Sequence, residues 1–138
     1  MSGTTILALA GNDSIKNSSA NITIDAGAGE DTVNSSGANT SIFGAAGKDS
    51  IVSYGDKVTI FGGEADDTIH NGYGVESINA TTDGGDALII DGGAGNDLIY
   101  NHFGSRVMIY GGDGNDTITT QIAGGTSYNS WSYGNYVT

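Results

Sequence analysis

Six aspartates of this 138-residue chain stand in one recurring context: Asp13 in ALAGNDSI, Asp31 in AGAGEDTV, Asp49 in GAAGKDSI, Asp67 in GGEADDTI, Asp97 in GGAGNDLI and Asp116 in GGDGNDTI. The steps between them are 18, 18, 18, 30 and 19 residues. A carboxylate beside a Gly-rich stretch is a particular kind of donor set. Glycine reaches positive φ at little steric cost and lets its backbone approach a ligand closely, so several carbonyl oxygens can be aimed at one point. Carbonyls plus a carboxylate are the hard oxygen ligands of calcium, which takes six to eight of them at ~2.3–2.6 Å. One such turn offers too few oxygens and two stacked turns offer enough, which explains a motif that recurs once per lap of the chain.

The elements that position these turns are short strands. A branched hydrophobe precedes each turn, at Ile6, Ile24, Ile42, Ile60, Ile90 and Ile109, and another follows each aspartate, at Ile15, Val33, Ile51, Ile69, Ile99 and Ile118. Both series march in step with the aspartates, the signature of a repeat architecture. Within the strands the alternation has period 2, which puts Ile22 and Ile24, Val58 and Ile60, and Val107 and Ile109 inward and Thr23, Thr59 and Met108 outward. Helix is disfavoured, because β-branched alternation is broken by Gly every few residues. Each unit is then one lap of a coil: strand, Gly-rich turn, Asp, strand, polar turn. The step of 30 carries about 12 extra residues on the polar-turn side. It reads as a protruding loop at about 71–87 that leaves the flanking Gly-rich turns free to stack.

Composition closes several alternatives. Lys and Arg total 4 against 16 Asp and Glu, a net charge of −12, so the surface repels phosphate and anionic lipid and nucleic acid is not an expected partner. The absence of Cys excludes a disulfide scaffold, a thiol nucleophile and a Cys-based zinc site. No apolar run approaches the roughly 20 residues of a membrane helix, so membrane insertion is not expected. Only 37% of residues are hydrophobic, many of them Ala, so a large core is hard to assemble and something else must help the chain fold.

The stretch GGxGxD followed by an alternating hydrophobe resembles the GGxGxDxUx nonapeptide of the haemolysin-type, or RTX, calcium-binding repeats. The turns at 92–97 and 111–116 match it in full. The resemblance implies an all-β fold, a right-handed parallel β-roll of about six to seven 18-residue coils, with calcium between Gly-rich turns of neighbouring coils. The ligands it implies are the carboxylates of Asp13, Asp31, Asp49, Asp67, Asp97 and Asp116 and the turn backbones. In this chain those backbones are Gly11 in the first turn; Gly27, Ala28 and Gly29 in the second; Gly44, Ala46 and Gly47 in the third; and Gly62, Gly63 and Glu64 in the fourth. Gly92, Gly93, Ala94 and Gly95 follow in the fifth, and Gly111, Gly112, Asp113 and Gly114 in the sixth.

Two departures from the family pattern are informative. Typical members repeat the nonapeptide twice per 18 residues and carry calcium on both edges. Here Thr4, Ile22, Thr40, Val58, Leu88 and Val107 stand where the second aspartate would fall, and none is a carboxylate. That edge carries polar turns such as NSSAN at 17–21, so a single row of calcium is expected. The turns are also unequal: Ala26 and Ala45 each replace one Gly, Ala65 replaces the fourth-position Gly, and Ala8 and Leu9 replace both leading Gly of the first turn. Site quality is expected to fall toward the N-terminus.

Six stacked turns enclose five gaps, hence up to five calcium ions, which would bring the net charge from −12 to about −2. Without metal, like charges one strand spacing apart, ~4.8 Å, repel by about 1 kcal/mol in water and about 3.5 kcal/mol at an effective dielectric of 20. Five such steps compete with a folding free energy of only ~5–15 kcal/mol, so calcium is expected to act as a folding ligand.

The remaining residues point to no catalysis. His70 and His102 are the only histidines and are assigned to polar turns or adjoining strand ends, and no GxSxG surrounds any serine. Outward rows of Thr32, Ser50, Thr68 and Thr117, and of Phe43, Phe61 and Tyr110, are read as strand surface. The expected organisation is a repeat domain over 1–123 and a C-terminal cap or tail over 124–138 that shields the last strand. The reading is a non-enzymatic, monomeric calcium-binding module that folds on calcium and forms a structural segment of a secreted or cell-surface protein, in contact with that protein's other domains. The alternatives are an adhesion or ligand-binding module with purely structural calcium, and an accessory domain of a secreted enzyme.

Overall fold

The computed structural model describes residues 3–72, 87–102, 106–120, 129–131 and 136–137. Among the described residues, fourteen short strands form two parallel sheets. The first sheet holds β1 (Thr4–Leu7), β3 (Ile22–Ala28), β5 (Ser41–Ala46), β7 (Thr59–Glu64), β9 (Ala87–Ala94), β11 (Arg106–Asp113) and β13 (Asn129–Trp131), in that order. The second holds β2 (Ser14–Asn17), β4 (Thr32–Ser35), β6 (Ser50–Ser53), β8 (Thr68–Asn71), β10 (Leu98–Asn101), β12 (Thr117–Thr120) and β14 (Tyr136–Val137). Among the described residues odd strands pair with odd and even with even, each with the strand two places on. The chain is therefore a β-solenoid. Between Asp13 and Asp116 it closes five windings, fewer than the six to seven coils expected, because the first and last strand pairs lie at the ends of the stack.

Register follows the repeat. Ile24 pairs with Ile42, Ile42 with Ile60, Ile60 with Ile90 and Ile90 with Ile109. On the other sheet Val33, Ile51, Ile69, Ile99 and Ile118 align in the same way. These two ladders face each other and make the core, in which Ile24, Ile42, Ile60 and Ile90 are wholly buried. Stacking identical branched side chains along a ladder fills the narrow interior without large residues. The insertion leaves this undisturbed: β7 pairs directly with β9 and β8 with β10, so Gly63 lies beside Gly93 across it. The expected loop itself, and most of the C-terminal tail, lie outside the described residues. From the tail, β13 pairs with β11 and β14 with β12, one further strand on each sheet.

The outer faces carry the expected rows. Thr32, Ser50, Thr68, Leu98 and Thr117 align, as do Asp25, Phe43, Phe61, Asp91 and Tyr110. Phe43 and Phe61 stack with ring centroids 5.1 Å apart and planes within 8°. His70 lies toward the end of β8, stacked on Tyr100 at 4.7 Å, and burial followed by the nearby His102 keeps its pKa below the usual imidazole value. Among the described residues no helix is long and apolar enough to cross a membrane.

Candidate metal centre

The Gly-rich turns join each odd strand to the next even strand, so all six lie on one edge of the coil. Their backbones are tied across coils: the Gly29 N–H donates to the Ala46 carbonyl at 2.8 Å, Gly47 to Glu64 at 3.2 Å, and Gly95 to Asp113 at 2.8 Å. Gly11 likewise donates to Ala28 at 2.8 Å. A carbonyl has two lone pairs, so each of these oxygens keeps one for another partner.

Second and fourth turn positions share left-handed backbone. Gly27, Gly63, Gly93 and Gly112 fill the second, and Gly11, Gly29, Gly47, Gly95 and Gly114 the fourth, all at positive φ. Leu9 (79°), Ala45 (81°) and Ala65 (76°) adopt the same backbone with a Cβ, which costs roughly 1–2 kcal/mol each.

The aspartates end these turns and point inward. Asp31, Asp49, Asp67, Asp97 and Asp116 are each only 1% exposed, and Asp13, at the end of the stack, is half-buried. From Asp31 onward, one carboxylate oxygen of each reaches back to the preceding coil. Asp31 Oδ1 accepts the Asp13 N–H at 2.7 Å, Asp49 that of Asp31 at 2.9 Å, and Asp67 that of Asp49 at 2.8 Å. Asp97 continues the ladder to Asp67 at 2.8 Å and Asp116 to Asp97 at 2.9 Å. The other oxygen, Oδ2 of Asp13, Asp31, Asp49, Asp67 and Asp97, is buried with no hydrogen-bond partner.

A buried acceptor without a donor is costly, and a buried charge without a counter-charge more so. The first-position glycines show what these oxygens face. A methyl on Gly44 would collide with Asp49 Oδ2 and the Gly62 carbonyl oxygen, one on Gly62 with Asp67 Oδ2 and the Gly92 oxygen, and one on Gly92 with Asp97 Oδ2 and the Gly111 oxygen. At three corners, then, a carboxylate oxygen of one coil and a carbonyl oxygen of the next converge on a point that only glycine leaves open. At the second corner Ala26 stands at this position, wholly buried, and its own methyl takes that space.

Burial also moves the carboxyl pKa values. Desolvation, partly offset by the hydrogen bond from Asp49 and reinforced by the Asp49 and Asp97 charges, pushes Asp67 up to about 7. Desolvation with the Asp116 charge pushes Asp97 up to about 6, and desolvation raises Asp49 as well. The corners hold negative charge only at a cost, and carboxylate oxygens face carbonyl oxygens there. Among the described residues no three Asp, Glu, His or Cys side chains gather at one point. A cation here would draw mainly on backbone carbonyls and one or two carboxylates, the hard donor set that suits calcium.

The opposite edge is built differently. Ile22, Thr40, Val58, Leu88 and Val107 occupy the positions a second aspartate would need, and all are buried. The NSSAN turn is not wholly exposed: Asn17, Ser35, Ser53, Asn71 and Asn101 point inward as a neutral polar ladder. Asn17 Nδ2 donates to Ser35 Oγ at 3.0 Å and Asn71 Nδ2 to Asn101 Oδ1 at 2.9 Å. The signal for this ladder was the period-2 alternation itself, which runs Asp13, Ile15, Asn17 and Asp31, Val33, Ser35 without a break.

A family model for the RTX calcium-binding nonapeptide repeat matches the chain four times, over residues 23–42, 43–74, 89–108 and 107–121, together more than half of its length. No curated protein and no solved structure matches it.

Proposed function

Because this chain belongs to the RTX calcium-binding nonapeptide repeat family, a calcium-binding repeat module, we propose that its single Asp edge makes folding conditional on calcium. The observation that carries this reading is the row of buried Oδ2 atoms without donors. Asp49, Asp67 and Asp97 would hold the ions together with the carbonyls of Gly62, Gly92 and Gly111 that converge on them. Bound there, calcium supplies positive charge and a set of coordination bonds spanning two coils. The chain's own residues do the rest: the Oδ1 ladder fixes each carboxylate, the first-position glycines keep the corner open, and the apolar ladders align the coils.

Five gaps between six corners cap the capacity at five ions, and at the second corner the Ala26 methyl takes up the space an ion would need. The module acts without catalysis, as a monomer and a stiff segment of a larger secreted or cell-surface protein, disordered where calcium is scarce and folded where it is abundant. Far-UV circular dichroism of the chain during calcium titration, starting from chelator, tests this. A coil spectrum that converts cooperatively to β is expected, and a chain already β-rich in chelator at neutral pH would refute it.

A further inference from the structure

At three corners the residue just before the ladder aspartate makes a second set of inter-coil bonds that the calcium reading does not use. Asn12 Oδ1 accepts the Glu30 N–H at 3.0 Å. Asp66 Oδ1 accepts the Asn96 N–H at 2.7 Å and the Asn96 Nδ2 at 3.1 Å, and Asn96 Oδ1 accepts the Asn115 N–H at 3.0 Å. These braces reach from one coil to the next, whereas the ladder aspartates reach back to the coil before. Between the fifth and sixth corners, Asn96 therefore holds the following coil while Asp116 holds the preceding one, and the two turns are clamped from both sides.

Two corners lack this brace. Lys48 has no acceptor to offer the Asp66 N–H, and Glu30 carries its carboxylate one methylene further out, on a side chain that loses more rotamer freedom when fixed. Both are exposed, and among the described residues neither accepts an N–H from the next coil.

We propose that Asp66 and Asn96 are positioning residues for calcium: their braces set the coil spacing before the ion arrives, so the gaps at Asp67/Asp97 and Asp97/Asp116 bind ahead of the unbraced gap at Asp49/Asp67, all three having glycine at the first turn position. The proposal rests on the calcium reading and adds an order of filling to it. The physical cause is preorganisation, since a gap already at its bound spacing loses less freedom on binding. An exposed side-chain bond to backbone is weak, so the expected effect per brace is about three- to five-fold in affinity.

Calorimetric calcium titration of the wild-type chain and of matched variants separates brace from charge. Lys48→Asn and Lys48→Gln remove the same charge and differ by one methylene; only Asn has the reach seen at Asn12 and Asn96. Lys48→Asn is expected to bind about three- to five-fold more tightly than Lys48→Gln at the Asp49/Asp67 gap, with slowed hydrogen exchange of the Asp66 amide. Asn96→Gln, neutral and one methylene too long, is expected to weaken the tighter gaps by a similar factor and to speed exchange at Asn115. Equal affinities for the two Lys48 variants, or an unchanged Asn96→Gln, overturn the proposal while leaving calcium binding intact. A wild-type chain that takes up no calcium overturns the functional reading and this proposal with it.

Discussion

The two edges of the coil solve the same geometric problem with different chemistry. At both, the strand alternation turns a polar side chain inward at the corner: Asp31, Asp49, Asp67 and Asp97 on one side, Ser35, Ser53, Asn71 and Asn101 on the other. The neutral edge closes part of its own ladder through Asn17 to Ser35 and Asn71 to Asn101, and what it leaves open, Ser53 Oγ and Asn101 Nδ2, carries no charge. The acidic edge satisfies one oxygen per carboxylate and leaves the other facing a carbonyl. An amide and hydroxyl ladder leaves no charge to neutralise, whereas a carboxylate ladder does. The proposed dependence on calcium is thus confined to one edge of a fold whose core is common to both.

The largest expected effect comes from removing that charge. Asp67 and Asp97 have folded-state pKa values raised from 3.8 to about 7 and about 6, so between those limits the folded chain binds more protons than the unfolded one. The stability they contribute is complete below pH 3.8 and is lost as pH rises through 6 to 7. In chelator, β content followed by circular dichroism is expected to rise on acidification from pH 8 to pH 5. Asp67→Asn, which keeps an acceptor for the Asp49 N–H, is expected to fold in chelator more readily than wild type at pH 8 and to respond less to acid.

A smaller effect separates open from filled corners. Gly62→Ala places a methyl against Asp67 Oδ2 and the Gly92 oxygen and is expected to cost about 1–3 kcal/mol in urea denaturation with calcium present, with one ion fewer bound. Ala26→Gly is expected to do the reverse to the stoichiometry, opening the second corner. The smallest effect lies on the neutral edge: Ser35→Ala removes the acceptor of Asn17 and is expected to cost about 1 kcal/mol with calcium stoichiometry unchanged.

Much of this was legible from spacing. A repeat of 18 fixes which residues stack, so the register Thr32–Ser50–Thr68 and the inward placement of Ile24, Ile60 and Ile109 followed from counting, and the extra residues before Leu88 did not disturb it. Less legible was anything set by the direction of a side chain within the corner. That Asp Oδ1 bonds the preceding coil while Oδ2 meets the first-position glycine depends on the strand-to-turn geometry of two coils at once. Ala26 and Ala45 look alike as replacements for Gly, yet Ala26 fills the corner and Ala45 strains the backbone. Asn17 and Ser35 resemble turn residues by type, and only the unbroken alternation through Ile15 and Val33 marks them as interior.

The central claim is that divalent ions occupy one edge and not the other. Crystals grown in calcium and measured for anomalous scattering test it directly. Peaks between successive Asp corners, strongest from Asp49 to Asp116 and absent beside Asn17, Ser35, Ser53, Asn71 and Asn101, are the predicted result. Peaks on the neutral edge, or an acidic edge without metal at saturating calcium, would contradict it.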